Sequence, residues 1–127
     1  MIRFTIPIHT VSESNMAEHW TVKAKRAKKQ REAAYLFALQ SIGMVCLSPN
    51  GRLTITLTRI APRKLDDGNN SVSMKHAQDG LCDALGIDDG DEILSWVYAQ
   101  RRGKAKEYAV EVQIQPKEAQ NDQAQTE

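Results

Sequence analysis

Leu53-Thr54-Ile55-Thr56-Leu57-Thr58-Arg59-Ile60 (LTITLTRI) sets apolar side chains two residues apart with threonines between them. That period predicts a half-buried strand, and it is the plainest structural signal in the chain. Working back, Ser48-Pro49-Asn50-Gly51 reads as a turn, and residues 44–47 read as a short extended piece. Residues 16–42 are strong helix formers without Gly or Pro, and Gly43 is a natural stop. Within this helix Trp20, Ala24, Ala27, Ala34, Ala38 and Ile42 roughly follow a helical period, and the run 33–39 (AAYLFAL) is its expected core anchor. Lys23, Lys25, Arg26, Lys28, Lys29 and Arg31 point all round the axis, so most of the first half must be wet. Residues 10–15 are polar and offer capping groups, and residues 3–8 alternate Phe4, Ile6 and Ile8 as a strand. Pro7 has no N–H to donate, which places that strand at an edge or ends it there.

Working forward, residues 61–69 read as a loop containing Pro62. A helix is expected over residues 71–85, with Asn69, Asn70 or Ser71 as cap. Met74, Ala77, Leu81, Ala84 and Leu85 form its apolar side, and Gly86 ends it. After an acidic turn, Ile87-Asp88-Asp89-Gly90-Asp91, strands over 93–100 and 107–115 are predicted to form a hairpin. Arg101-Arg102-Gly103-Lys104 would lie at its tip. Residues 116–127 are polar, with no core candidates, and read as a disordered tail behind a domain spanning 1–115. The expected order is β-α-(β)β-α-β-β. That describes a small α+β domain in which a mixed or antiparallel sheet packs with two main helices.

A chain of 127 residues holds one core. No apolar run reaches the roughly 20 residues of a membrane span, and the N-terminus lacks a secretory layout. Cys46 and Cys82 form neither a CxxC pair nor a zinc spacing, so the expected setting is the reducing cytoplasm. The net charge of +1 conceals a separation. Residues 1–64 carry 11 bases against 3 acids, whereas residues 65–127 carry 6 against 13. Eight of those acids lie between Asp66 and Glu92, with Lys75 as the sole base. They are either solvated turns and helix faces or a cation site beside a basic, phosphate-gripping surface.

Asp66 and Asp67 before the second helix, and Asp88, Asp89 and Asp91 after it, are the oxygen donors that a hard cation such as Mg²⁺ requires. Such a cation can neutralise a phosphate ester and activate water. A helix of about 15 residues is about 22 Å long, so the two groups could meet only near its middle or across a bent connection. Lys75, Asp79 and Asp83 recur every fourth residue as an ion-pair row, or as a lysine placed to stabilise charge on a phosphate. Arg63 and Lys64 immediately precede the acids. Trp20 and Trp96 read as core or dimer-interface anchors, and His9, His19 and His76 form no ligand pair.

Several of these residues fall into a familiar order: Leu65-Asp66-Asp67-Gly68-Asn69-Asn70, Lys75, Asp79-Gly80, Asp83 and Leu85-Gly86-Ile87-Asp88-Asp89-Gly90-Asp91. Together with residues 10–13 and 57–63, they resemble the RusA-type Holliday-junction resolvases, in the branch found in phages and prophages. The likeness runs over residues 2–114. It implies a homodimeric, Mg²⁺-dependent endonuclease that resolves four-way DNA junctions in recombination and repair. Asp66, Asp89 and Lys75 would be its catalytic residues, and Asp66, Asp67, Asn69 and Asp89 its metal ligands. DNA would be gripped by Lys23, Lys25, Arg26, Lys28, Lys29, Arg63, Lys64, Arg101 and Arg102. One position departs from the pattern. Gly68 stands where the motif has its second aspartate; if the register slides so that Asp67-Gly68-Asn69-Asn70 is the motif, a neutral Asn69 takes that place as substitute ligand. The alternative implied by that departure is a weakened or inactive junction-binding protein of the same family.

Overall fold

A computed structural model of the chain describes residues 1–12, 17–42 and 51–117. It contains β1 (Ile2–Ile6), α1 (Trp20–Ile42), β2 (Leu53–Ala61), α2 (Asp67–Ser73), α3 (Lys75–Leu85), β3 (Leu94–Arg102) and β4 (Ala109–Pro116). The expected short strand over 44–47, the turn residues 48–50, Gly43, Cys46 and tail residues 118–127 lie outside the described residues. So do residues 13–16, which hold part of the expected capping segment and the start of the expected first helix.

The four strands form one mixed sheet in the order β1-β4-β2-β3. β2 is its axis, antiparallel to β4 and parallel to β3. The alternation of LTITLTRI decides which side of the sheet is buried. Ile55 lies opposite Ile114 and Trp96, and Leu57 lies opposite Val112 and Tyr98. Phe4 and Ile6 extend the same rows through Val112 and Val110. All of these except Tyr98, which is substantially exposed, form one core with Ala34 and Ala38 of α1 and with Ala77 and Leu81 of α3. Thr54, Thr56 and Thr58 share the opposite side with Glu111 and Gln113. The result is a two-layer α+β fold with all its described helices on one face. β1 is an edge strand and stops one residue before Pro7, as the missing N–H requires.

Three expectations need correction. β3 and β4 are not a hairpin, because β2 lies between them. Arg101 and Arg102 therefore end a strand, and the connection crosses the end of β2, where Gly103 N donates to Ala61 O at 2.8 Å. The expected second helix is two helices, and it starts earlier than its polar neighbours indicated. Asp66 is the N-cap, extended at φ −66° and ψ 162°, and its carboxylate accepts from Asn69 N. Met74, at φ −101° and ψ 6°, separates α2 from α3 while its side chain is fully buried. Finally, AAYLFAL is only half an anchor. Ala34 and Ala38 are buried, but Leu36 is 58% exposed, and Trp20 is 71% exposed and so is no core residue.

Gly80 is where α3 meets α1. A Cβ there would collide with the Arg31 carbonyl oxygen and crowd the Ala34 Cβ. Backbone cannot yield as a flexible side chain can. Gly80→Ala is expected to cost about 1–3 kcal/mol through overpacking, read as a lowered midpoint in thermal or urea unfolding. Gly68→Ala, where nothing lies within 4 Å of the added atom, is the matched control.

Candidate functional site

Trp96, Tyr98 and Gln100 alternate along β3 and so project from one face, the face that α2 and α3 cover. Each grips a different part of the acidic segment. Trp96 Nε1 donates to the Asp89 carbonyl at 3.0 Å. The Tyr98 hydroxyl donates to Gln78 Oε1 at 2.7 Å. Gln100 brackets Leu65, accepting from its N–H at 2.9 Å and donating to its carbonyl at 2.6 Å. Asn70, buried in α2, adds a bond from Nδ2 to the Ala99 carbonyl at 3.2 Å. One strand thus fixes the approach to Asp66, the middle of the helical connection, and the turn holding Asp89.

Lys75 opens α3 and lies between two carboxylates, with Nζ 2.7 Å from Asp89 Oδ2 and 2.9 Å from Asp79 Oδ1. Hydrogen bonding to both raises the lysine pKa above its ordinary value. The Asp89 carboxyl is lowered, chiefly by the hydrogen bond from Lys75. Gln78 Nε2 stands 3.5 Å from the same Asp89 oxygen. Further along α3, Asp83 pairs with Arg31 of α1 through two bonds of 2.7 and 2.9 Å. Asp79 and Asp83 are therefore joined to different partners rather than forming a single row. Between them Cys82 is buried, and burial pushes its thiol up to about 11.

The two acidic groups keep separate anchors. Leu65, next to Asp66, is held by Gln100 and Asp89 by Trp96, positions about 13 Å apart along a strand. Asp66 and Asp67 are exposed beside the start of α2, where Asn69 donates its backbone N–H to Asp66 Oδ1 at 2.9 Å. Among the described residues, no group of three or more His, Cys, Asp or Glu side chains is close enough to hold a metal ion together. The basic residues divide into two places. Arg63, Lys64 and Arg102 line one hollow with Pro62, next to Asp66. Lys25, Arg26, Lys28 and Lys29 line a groove between α1 and the end of β1, with Arg26 bonded to Glu18 at 2.7 Å. Lys23 is half-buried on α1, and Arg101 lies 3.8 Å from Glu111.

Sequence reasoning passed over Gln78, Tyr98 and Gln100, whose polarity seemed ordinary for a surface. Their shared feature, a polar residue on the buried side of a strand or helix, becomes visible only once the pairing of β3 is known. Arg59 was missed in the same way. It is 6% exposed, and its guanidinium bonds the Thr10 hydroxyl, the Thr10 carbonyl and the Arg63 carbonyl. Burial lowers its pKa, yet an arginine stays charged. This side chain ties the end of β1 to the basic loop before Asp66.

Removing the lysine charge should release Asp89. In Lys75→Met the Asp89 carboxyl is expected to titrate at a higher pH than in the parent, measured by carboxyl NMR chemical shifts. The sign follows from the lowered native value: the ion pair is complete above the ordinary carboxylate range and is lost as pH falls through the lowered value. An unchanged titration would show that the Lys75–Asp89 bond does not persist in solution.

Over 78 residues the chain is 35% identical to a protein of Xylella fastidiosa (strain Temecula1 / ATCC 700964) described only as an uncharacterized protein. The alignment covers 59% of this chain and 51% of that protein, so the chain matches about half the length of its relative. No family model matches the chain, and no solved structure matches it.

Proposed function

We propose that this chain is a Mg²⁺-dependent endonuclease acting on branched DNA, and that it resolves four-way junctions as a homodimer during recombination and repair. The observation that carries the reading is the position of Lys75. Its ammonium is held between Asp79 and Asp89, beside a helical connection whose start is flanked by exposed Asp66 and Asp67 and by basic Arg63, Lys64 and Arg102. Carboxylates with adjacent cations are the groups that phosphodiester cleavage uses. The resemblance of the sequence to the RusA-type resolvases points the same way. No helix is long and apolar enough to cross a membrane among the described residues.

The donor set suits Mg²⁺, which commonly takes one or two protein carboxylates and keeps several waters. Asp66 uses Oδ1 to cap α2, while Asp67 is exposed beside it. These two, with Asn69, would hold the ion; Asp89 is anchored separately through Trp96 and pairs with Lys75. When bound, Mg²⁺ would supply charge neutralisation at a phosphate and lower the pKa of a coordinated water. Arg63, Lys64 and Arg102 bind the DNA backbone next to Asp66. Lys75 supplies positive charge near Asp89, and Asp79 keeps its ammonium in place. Lys25, Lys28 and Lys29 extend the basic surface along α1.

A second reading, a junction-binding protein with little or no cleavage, is favoured by Gly68. That position contributes no carboxylate beside Asp66, and no trio of metal-binding side chains forms among the described residues. Space does not prevent a carboxylate there, because nothing lies within 4 Å of a Cβ at Gly68.

Cleavage of a synthetic four-way junction, titrated over Mg²⁺ and salt, tests the enzyme reading. The parent chain is expected to cut, and Asp89→Asn to lose about 100-fold in rate. Equal cutting by both, or none by the parent, defeats that reading. Gly68→Asp separates the two alternatives. If the parent binds junctions without cutting and Gly68→Asp cuts, the chain is a lapsed nuclease; unchanged binding with no cutting by either leaves only a binding protein.

A further inference from the structure

β3 pairs with β2 on one side, and among the described residues no strand lies on its other side. The ladder shows which backbone groups face outward. Leu53 N donates to Ile93 O at 2.7 Å and Gly103 N donates to Ala61 O at 2.8 Å, at the two ends of the pairing. The register between them runs without a bulge, so the odd-numbered residues of β3 turn their backbone groups toward β2. The backbone N–H and C=O of Trp96, Tyr98 and Gln100 therefore point away from the sheet. Among the described residues no hydrogen bond reaches them. A row of unpaired donors and acceptors is a template for another strand, and edges are ordinarily guarded by brevity, proline, lysine or a bulge. β1, the opposite edge, has five residues and is followed by Pro7. β3 has nine residues and none of those guards. It also leaves Val97 45% exposed on the threonine side and Tyr98 37% exposed on the other.

We propose that this edge pairs with β3 of a second copy of the chain, antiparallel and centred on Val97, so that the sheets of two protomers become continuous. Charge selects this occupant. Exposed Asp91 and Glu92 precede the strand, and exposed Arg101 and Arg102 end it. Antiparallel pairing lays the acidic start of each copy beside the basic end of the other, whereas parallel pairing would oppose like charges. Apolar surface selects the register. With Val97 opposite the partner's Val97, Trp96 stands opposite the partner's Tyr98, and the outward backbone groups of the two exchange both bonds. Arg102 then stands opposite the partner's Glu92. Val97 occupies a non-hydrogen-bonded position, where facing side chains come closest, and the two exposed valines cover each other. Sliding by two residues would set Val97 against Ser95 or Ala99 and take Arg102 away from Glu92. The contact is isologous, as a closed two-fold dimer requires. Facing residues point to the same side of a sheet, so both helical layers, each with its Lys75, lie on one face of the dimer. This inference rests on the homodimer part of the proposed function and names its contact surface; it requires neither DNA nor Mg²⁺.

The test is sedimentation velocity of the full chain over a concentration series, with amide hydrogen exchange measured on the same samples. The parent is expected to dimerise, and the backbone amides of Trp96, Tyr98 and Gln100 are expected to exchange more slowly as concentration rises. Val97→Lys changes an exposed side chain and should leave the protomer folded. By setting two ammonium groups together it should weaken dimerisation about 100-fold. Glu92→Arg should weaken it about tenfold, and adding Arg102→Glu to that variant should restore the parent affinity. The exchange measurement needs no variant, so a substitution that fails to fold leaves it decisive. Dimers indifferent to Val97→Lys overturn the proposal. So do edge amides that exchange at one rate at every concentration; if that rate is slow, the edge is covered from within the chain. A parent that stays monomeric overturns this inference and the homodimer reading together. Dimers that pass these tests and cut no junction defeat only the nuclease reading, and junction cleavage by dimers joined elsewhere defeats only this inference.

Discussion

Parallel pairing of β2 with β3 is the constraint from which the rest of the arrangement follows. Two parallel neighbours cannot be joined by a tight turn, so the chain must travel back along the sheet before it can start β3. α2 and α3 make that return journey over the apolar side of the sheet. Asp66 therefore stands where β2 has finished, and Asp89 stands before β3 begins. β4 then takes the remaining edge of β2, which keeps β3 and β4 apart and leaves β1 at the outer edge. The two acidic groups lie at the two ends of the helical connection, and the polar residues of β3 fix how far apart their attachments lie.

That geometry gives the break at Met74 a purpose. A continuous helix from Asp67 to Leu85 would keep a single axis, with Lys75 at one fixed angle to Asp66. The interruption lets α3 settle against α1 at Gly80 independently of where α2 begins. Lys75 then opens a new helix and reaches Asp89 as well as Asp79. Packing between α1 and α3, reinforced by Arg31 and Asp83, thereby sets the position of a charged group in the candidate site. Stability and electrostatics are coupled through the same short helix.

Much of the fold was legible because local patterns and tertiary burial agreed. The period of LTITLTRI named β2, Pro7 closed β1, and Gly86 ended α3 in the left-handed conformation at φ 70°. The hairpin failed for a different reason. Arg101-Arg102-Gly103-Lys104 is a plausible local turn, and nothing local reveals that a third strand lies between its flanks. The start of α2 was misplaced because Asp66 was read as chemistry, whereas its carboxylate also caps a helix. AAYLFAL misled through composition: α1 packs through its alanines, and the larger side chains Tyr35, Leu36 and Leu39 remain substantially exposed. In the candidate site the charged residues, apart from the buried Arg59, were visible in sequence. The neutral ones that hold them were not, since Gln78, Tyr98 and Gln100 gain meaning only from the face they occupy.

The threonine rows of β2 carry a different implication. Because both long helices sit on the other side, Thr54, Thr56 and Thr58 belong to a surface that contributes almost nothing to the interior. Sequence drift can accumulate there at little energetic penalty, provided strand-forming residues are kept. Distant relatives of this chain should therefore look least alike on that side of the sheet and most alike where α3 presses its glycine against α1.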